Sequence, residues 1–491
     1  MIPRRDHQED VLIIGSGIGG LTAAILLLKL GCRVTVVEKN PLPGGLMRSY
    51  RRDGIDCPVG VHYMGALAEG QPLRRMFDYL GVAAQIPLER MGSAGVIDRY
   101  IFDDFTFDLP EGIGAFAESL QRAFPGEGAG IDVVIRNLLD ISARMSEFEA
   151  LLPQPRDFES MAAYLEPLGV LMTRLQCSPA LRRVLGIPSS WIGIPPDECP
   201  VYYHHMALAS YLLSAWRPAC TGAAMADVFA GRVTSLGGAI VAGDPVEQVL
   251  IHQGAVHGVA LESGRTLNAG RVVGAIHPRT LLGLLPAAVV KPSYRRRLSR
   301  LEDTQGIFSA YFAVDADAHP ELPYNVFRIF AEEEGTVPRG FFYQLRKTGR
   351  PRLNLLSLMT SSPAAEWERW AHTRTGRRGD DYREAKERKA EGLILEAEKI
   401  FGPHRGLRLL DASTNLTLRD WVNTPGGSAY GIMRSTRQQV GAAMLNRMSV
   451  EGLYLAGQNV LAAGIFGTVL GSFYTVRQMI GPARFLEEVV L

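Results

Sequence analysis

The stretch Val11–Glu38, VLIIGSGIGGLTAAILLLKLGCRVTVVE, leaves this chain few ways to begin a fold. VLII is a short apolar run suited to a buried parallel strand, and Gly15, Gly17, Gly19 and Gly20 follow it directly and open an apolar helix. Gly15 permits a tight turn, Gly17 lets the backbone approach a pyrophosphate, and Gly20 lets helix and strand pack closely. The first N–H groups of the helix then face the anion. A second apolar strand, Arg33–Val37, delivers Glu38, whose carboxylate is placed to accept hydrogen bonds from a ribose hydroxyl. Strand, glycines, helix, strand and acid in this order predict a dinucleotide site.

At 491 residues the chain exceeds what one hydrophobic core supports, so at least two domains are expected. A formal charge of +1 provides no long-range field for nucleic acid or an anionic surface. Cys32, Cys57, Cys177, Cys199 and Cys220 are far apart with no CxxC pair, which predicts neither a zinc site nor a disulfide framework and reads as reduced thiols in a cytosol. The N-terminal residues pass into the first strand without a cleavable apolar segment. Asn459–Val476 is uncharged over 18 residues, near the lower limit for a membrane span. Its glycines and the preceding LYLAG read better as a buried helix of the nucleotide domain.

After Glu38 come Lys39, the pair Gly44-Gly45, then Arg48 and Ser49. Adjacent glycines let backbone amides crowd an anion or a ring, and Arg48 adds a forked cationic donor. The spacing E-x5-GG-x2-RS resembles the second fingerprint of the flavoproteins that include amine oxidases, phytoene desaturases and Rab GDP-dissociation inhibitors. The resemblance implies FAD as cofactor, with the GG turn and the Arg-Ser pair over its pyrophosphate and flavin. Gly60-Val-His62-Tyr63-Met-Gly65 is similar to a segment of the retinol saturase and carotenoid isomerase branch of the phytoene desaturase family. That branch separates its Asp from this glycine by one residue; here three lie between Asp56 and Gly60, so no role is carried over to Asp56. His62 and Tyr63 are the candidate catalytic residues at the flavin face, against a reading of His62 as a core or turn histidine.

The C-terminal block carries the second signal. Asn415–Gly431 resembles the family's N-P-x-G-x-x-YG region, and Gly457-Gln458-Asn459 follows a strand and leads to Gly464-Ile465-Phe466-Gly467. The resemblance implies that Gly457 lies against the ribityl chain, that Gln458 and Asn459 bind its hydroxyls, and that the helix from Gly464 points its positive end at the flavin pyrimidine. Val246 is implied to touch adenine, and His277-Pro278 to sit in a loop beside the flavin.

Between these blocks, Tyr100–Leu109 predicts a hairpin, and apolar residues at 134, 138, 141, 145, 148 and 152 predict a helix. Val201–Trp216 is apolar almost all round and is expected to be buried or to line a cavity. Its adjacent His204 and His205 lack the i, i+4 spacing of a metal pair and read as structural; no metal is predicted. Ala223–Phe229 reads as a helix, Asp244–Ile251 and the segments up to Ile276 as a β-meander ending in a central strand, Gly306–Asp315 and Arg352–Thr360 as strands, and Arg374–Lys399 as a solvated helix.

The expected fold is α/β: a Rossmann-like FAD-binding domain with a parallel sheet and β-meander (1–80, 217–291 and 402–491), interleaved with an α+β substrate-binding or covering domain (81–216 and 292–401). The expected function is an FAD-dependent oxidoreductase acting on C–C bonds of a long apolar polyene or isoprenoid, as a saturase, desaturase or isomerase. The alternatives are a flavin amine oxidase and a non-enzymatic prenyl-binding protein on the same scaffold. With no second nucleotide fingerprint, an external electron donor or acceptor is expected. The location is expected to be cytoplasmic, with peripheral membrane contact allowed by an apolar substrate.

Overall fold

The computed structural model describes residues 10–92, 94–147, 164–330, 339–438, 445, 448 and 450–491. Five strands form an all-parallel sheet in the order Ala239–Ala242, Arg33–Glu38, Asp10–Ile14, Arg271–Gly274, Leu453–Leu455. The middle strand is the VLII run. Val11 and Ile13 face one core and Leu12 and Ile14 another, so both sheet faces are covered, as an apolar strand without alternation requires. The strand Ala239–Ala242 is an edge that the sequence reading passed over.

Helix Ile18–Lys29 crosses one face with Leu21, Ala23, Ala24, Ile25, Leu26 and Leu27 fully buried. Against it lies helix Gly464–Ile480, which holds most of the uncharged stretch 459–476 and one charge, Arg477, in its last turn. Their approach is close because the contacts are small: Ser472 Oγ donates to the Gly19 carbonyl at 2.8 Å, and a Cβ on Gly19 would stand 2.7 Å from Gly457 Cα. Among the described residues no helix is long and apolar enough to cross a membrane. The meander forms its own antiparallel sheet of Val246–His252, Ala255–Leu261 and Thr266–Asn268, after which Arg271–Gly274 returns to the parallel sheet beside the first strand.

A seven-stranded sheet lies beyond, in the order Arg408–Ser413, Gly306–Asp315, Leu353–Ser362, Gly340–Lys347, Asn325–Ile329, Asp98–Ile101, Thr106–Leu109. The hairpin expected at 100–109 is its far edge. Helix Asp380–Phe401 packs on it through Tyr382, Ala390, Ile394 and Ala397 and exposes its charges. Helix Gly128–Ser146 buries Val134, Leu138, Ile141 and Met145 as the periodicity requires; positions 148 and 152 lie outside the described residues.

The apolar stretch 201–216 is not one element. Helix Val201–Leu213 ends at Ser214, which is extended, and Ala215–Pro218 becomes the central strand of a small sheet between Met64–Gly65 and Leu88–Arg90. Apolarity all round removed the period that would have marked the break. This strand holds Met64 next to the second sheet, which brings the His62-Tyr63 segment to the boundary between the two sheets.

Candidate active site

The turn after the first strand is built as its glycines require. Gly15 has φ +98, and a Cβ on Gly20 would fall 1.9 Å from the Gly15 carbonyl oxygen. Gly17 differs: a Cβ there meets no atom within 4 Å, so this stretch of backbone faces open space. Neither helix Ile18–Lys29 nor helix Gly464–Ile480 has a side-chain cap or an acidic residue in its first turn. Two positive helix ends are therefore available to an anion or an electron-rich ring.

Glu38 is buried at the end of its strand. Its carboxylate accepts Ser16 N at 3.0 Å and Ser16 Oγ at 2.5 Å on one oxygen and Asn40 N at 2.8 Å on the other. Gly44 N donates to the Ser16 carbonyl at 3.0 Å, Gly44 and Gly45 both have positive φ, and a Cβ on Gly45 would stand 3.0 Å from Gly17 Cα. Glu38, Ser16, Gly17, Gly44 and Gly45 are thus in direct contact, and Gly19 and Gly457 join them on the helix side. A Cβ on Gly464, like that on Gly17, meets nothing within 4 Å.

Arg48 donates to the Pro43 carbonyl at 2.6 Å and lies 3.4 Å from Asp227, while the Ser49 hydroxyl is buried without a partner. Lys39 Nζ donates to the Asp420 carbonyl at 2.6 Å, and burial lowers its pKa. Gln458 lines a cavity with Gly464, Ile465 and Phe466. Asn459 points elsewhere: its Oδ1 accepts Ile432 N at 2.9 Å and its carbonyl accepts Arg434, so it fastens the 431–434 segment. Val246 begins the meander strand and is half-buried. His277 caps the helix Pro278–Gly283 by accepting Arg279 N, and its Nε2 lies 3.2 Å from Asp303.

A cavity of ≈ 1050 Å³ opens between the two sheets. Gly45, Leu46, Arg48 and Ser49 form one wall, Gly464 and Ile465 a second, and Phe327, Phe341, Phe342 and Met359 of the large sheet a third. His62 and Tyr63 stand between these walls. The His62 imidazole is held at about 4 by burial and the nearby Arg346, so it is neutral at pH 7, and its Nδ1 has no partner. Burial drives the Tyr63 phenol well above its usual range; its ring packs against Tyr211 at 4.5 Å, and its hydroxyl donates to Asp98 at 3.1 Å. Asp98, Trp191, Tyr211, Phe327 and Phe342 carried no signal in the sequence, because the aromatics read as ordinary core residues and the acid as a solvated strand end until the topology collects them. His204 and His205 lie behind this wall; their Nδ1 atoms meet at 3.0 Å despite diverging along the helix, and His204 Nε2 lies 2.7 Å from the Leu185 carbonyl. Among the described residues no group of His, Cys, Asp and Glu is arranged to hold a metal.

The open backbone at Gly17 and Gly464, the uncapped helix ends, the unpartnered Ser49 hydroxyl and the adjoining cavity fit a flavin dinucleotide. Residues 13–80 match the model of the NAD(P)-binding Rossmann-like domain. All-trans-retinol 13,14-reductase of Danio rerio is 24% identical over 523 residues, spanning 96% of this chain and 85% of that protein. A chloroplastic prolycopene isomerase of an Oncidium hybrid is 23% identical, with 94% and 83% covered. An oxidoreductase structure from Methanosarcina mazei superposes with a TM-score of 0.66 at 17% identity over 96% of this chain and all of that one, which fixes the fold. The chain is an FAD-dependent oxidoreductase, similar along nearly its whole length to retinol reductases and carotenoid isomerases.

Proposed function

We propose that this protein reduces a C–C double bond of a long apolar polyene, with FAD lying along Gly15, Gly17, Gly19, Gly20, Glu38, Gly44, Gly45, Arg48, Ser49, Gly457, Gln458, Gly464, Ile465 and Phe466, and with Val246 near its adenine. The flavin supplies the hydride when bound. The observation that carries this reading is the ≈ 1050 Å³ aromatic and aliphatic cavity that shares Gly45, Arg48, Ser49, Gly464 and Ile465 with the dinucleotide cradle. Such a surface selects a ligand by burial of hydrocarbon, at about 25 cal/mol for each Å² removed from water. The retinol reductases matched over nearly the whole chain favour saturation as the direction.

In this reading residues 1–80, 217–291 and 402–491 form the nucleotide domain, with strand Arg408–Ser413 lent to the sheet of the covering domain, 81–216 and 292–401. Lys39 and Asn459 hold the cradle's walls through Asp420, Ile432 and Arg434 rather than touching the nucleotide. His62 stays neutral and polar at the reacting end, and Tyr63 is placed to donate a proton. An external two-electron donor reduces the flavin.

The substrate enters from a bilayer. Leu42 and Trp421, 54% and 51% exposed, both line the cavity mouth, on segments joined by the hydrogen bond from Asn40 to the Trp421 carbonyl at 3.0 Å. Lys386 and Arg383 stand at the same mouth. The test is spectral: purified protein is yellow, bleaches on anaerobic reduction, and recovers its colour when a polyene is added, with loss of one double bond. Failure of every polyene to reoxidise the reduced protein, with rapid turnover of an amine, would refute the reading.

A further inference from the structure

We propose that Tyr63 and Asp98 form a buried proton-delivery pair for the cavity, with Tyr63 touching the substrate and Asp98 storing the proton behind it. This rests on the polyene-reduction reading above.

Tyr63 faces both the large cavity and the smaller one beside Gln458 and Ile465. Asp98, the first residue of strand Asp98–Ile101, is fully buried and lines neither. Its Oδ2 accepts the Tyr63 hydroxyl at 3.1 Å and its Oδ1 accepts Asn325 Nδ2 at 2.9 Å. A buried carboxylate ordinarily takes a cation as direct partner. Here the cation is close but is held one residue away: Arg217 donates to Asn325 Oδ1 at 2.9 Å and to the Leu322 carbonyl at 2.6 Å, and Gln344 also donates to Asn325 Oδ1 at 2.8 Å. Asn325 is therefore a spacer that turns a potential salt bridge into an amide contact. Asp98 is left with a phenol and an amide as its hydrogen-bond donors; these and the Arg217 charge favour the carboxylate, but without a direct cation partner burial outweighs them and lifts its pKa to about 7. The titratable and charged groups that face it are Tyr63, Tyr100, Tyr211 and Arg217.

A saturated C–C bond requires a hydride and a proton. A bound flavin, reduced by an external two-electron donor, would supply the hydride to one olefinic carbon, and the residues of this chain supply the proton to its neighbour. In the proton-loaded pair the 3.1 Å contact runs the other way, the protonated Asp98 Oδ2 donating to the Tyr63 oxygen; the Tyr63 O–H bond breaks as that C–H bond forms, and the Asp98 O–H bond then breaks to restore the phenol, leaving the carboxylate that accepts it. When the product leaves, water in the emptied cavity returns a proton to Asp98 through Tyr63. A tyrosinate in this pocket is strongly disfavoured, so a phenol without a proton store behind it would be a poor donor. Asp98 is a positioning and proton-storing residue; Tyr63 is the catalytic one.

The experiment uses the full chain loaded with FAD. Infrared difference spectra across a pH titration, with no substrate present, are expected to show a carboxylic acid carbonyl band lost with a midpoint near 7 and absent from D98N. In single turnovers of the reduced protein with a polyene, the wild-type rate falls as pH rises through that midpoint, whereas D98N is slow and pH-independent with unchanged KM. Y63F loses about 10²- to 10⁴-fold in rate, the span of a general acid. Should D98N fail to fold, Y63F, which deletes one oxygen, carries the rate test alone. A folded D98N with the wild-type pH profile, or no titrating carboxyl band, would overturn the pair. A band that titrates in a protein that reduces no polyene would instead remove the substrate reading, and with it proton delivery to carbon.

Discussion

Gly17→Ala and Gly19→Ala, two residues apart, should fail in different ways. Gly17 has φ −61 and ψ 172, a conformation open to any L-residue, and its added methyl meets nothing within 4 Å. Alanine is a weaker N-cap than glycine, but it also restricts the unfolded chain, and these effects of about 0.5–1 kcal/mol oppose each other. Stability should stay within about 1 kcal/mol of wild type. The methyl occupies the open space where the backbone would receive a pyrophosphate. Losing one or two charge-assisted hydrogen bonds of about 1.5–3 kcal/mol each weakens FAD binding by about 10²-fold or more. At Gly19 the methyl would stand 2.7 Å from Gly457 Cα and 3.2 Å from Thr468, where backbone and a fully packed helix must shift. That overpacking costs about 1–3 kcal/mol and lowers the melting temperature of the apoprotein. Urea unfolding of both apoproteins, with FAD titrated by fluorescence quenching, separates the two outcomes. A Gly17→Ala protein that binds FAD within threefold of wild type, or unfolds as early as Gly19→Ala, would refute the assignment of the open space to the dinucleotide.

Glu38→Gln should keep the strand but lose the charge and turn one of the two accepting oxygens into an NH2 donor facing Ser16 or Asn40, lowering FAD affinity by about 10-fold and stability by about 1–3 kcal/mol, measured by the same titrations. His62 and His204 both sit at about 4 in the fold against 6.5 when free, so the unfolded chain binds more protons below pH 6.5 and stability is lost as pH falls from 6.5 to 4. Asp98, raised to about 7, acts oppositely and loses stability as pH rises over the same range. Burial lowers His205 as well, so three histidines outweigh one acid: stability rises with pH over this range, and D98N should steepen the rise; urea midpoints at pH 4.5 to 6.5 check this. Replacing both Leu42 and Trp421 by Asp should release the protein from liposomes in a flotation assay without changing its melting temperature, since both side chains are exposed.

The nucleotide-binding end was legible because its residues act locally. Glycines at fixed offsets, an uncharged strand and an acid about 20 residues on carry their geometry within one βαβ unit. Local patterns also marked Gly306–Asp315, the charged helix and the C-terminal LYLAG junction. The strands Ala239–Ala242 and Asn325–Ile329 are only four and five residues long, given their place only by neighbours distant in sequence. The buried network around Tyr63 was hidden for the same reason. Tyr63 lies 35 residues from Asp98, and Asp98 lies 227 from Asn325, so no window of sequence contains the network. Asp98 begins a strand of the form DRYI, where an acid ordinarily reads as a solvated end. Burial reverses that meaning.

The same placement of charge argues against amine substrates. His62 is neutral at pH 7, Tyr63 and Tyr211 are held in their phenol forms by burial, and Asp98 is screened from the cavity by Tyr63. Asp380 and Asp411 also line the cavity, but each is already paired, with Arg383 at 2.8 Å and Lys386 at 3.5 Å. An aliphatic ammonium carried to the flavin face would leave water without an anion to receive it, at a cost of several kcal/mol. Each 1.4 kcal/mol is a factor of ten in affinity, so a diamine should bind at least about 10³-fold more weakly than a hydrocarbon of equal length. Raising the pH to deprotonate the amine should recover part of the loss. Anaerobic bleaching of the oxidised flavin by an aliphatic diamine at pH 7, at a rate unaffected by Tyr63→Phe, would mean that a carboxylate does reach the ring and that the cavity's neutrality is not what selects its ligand.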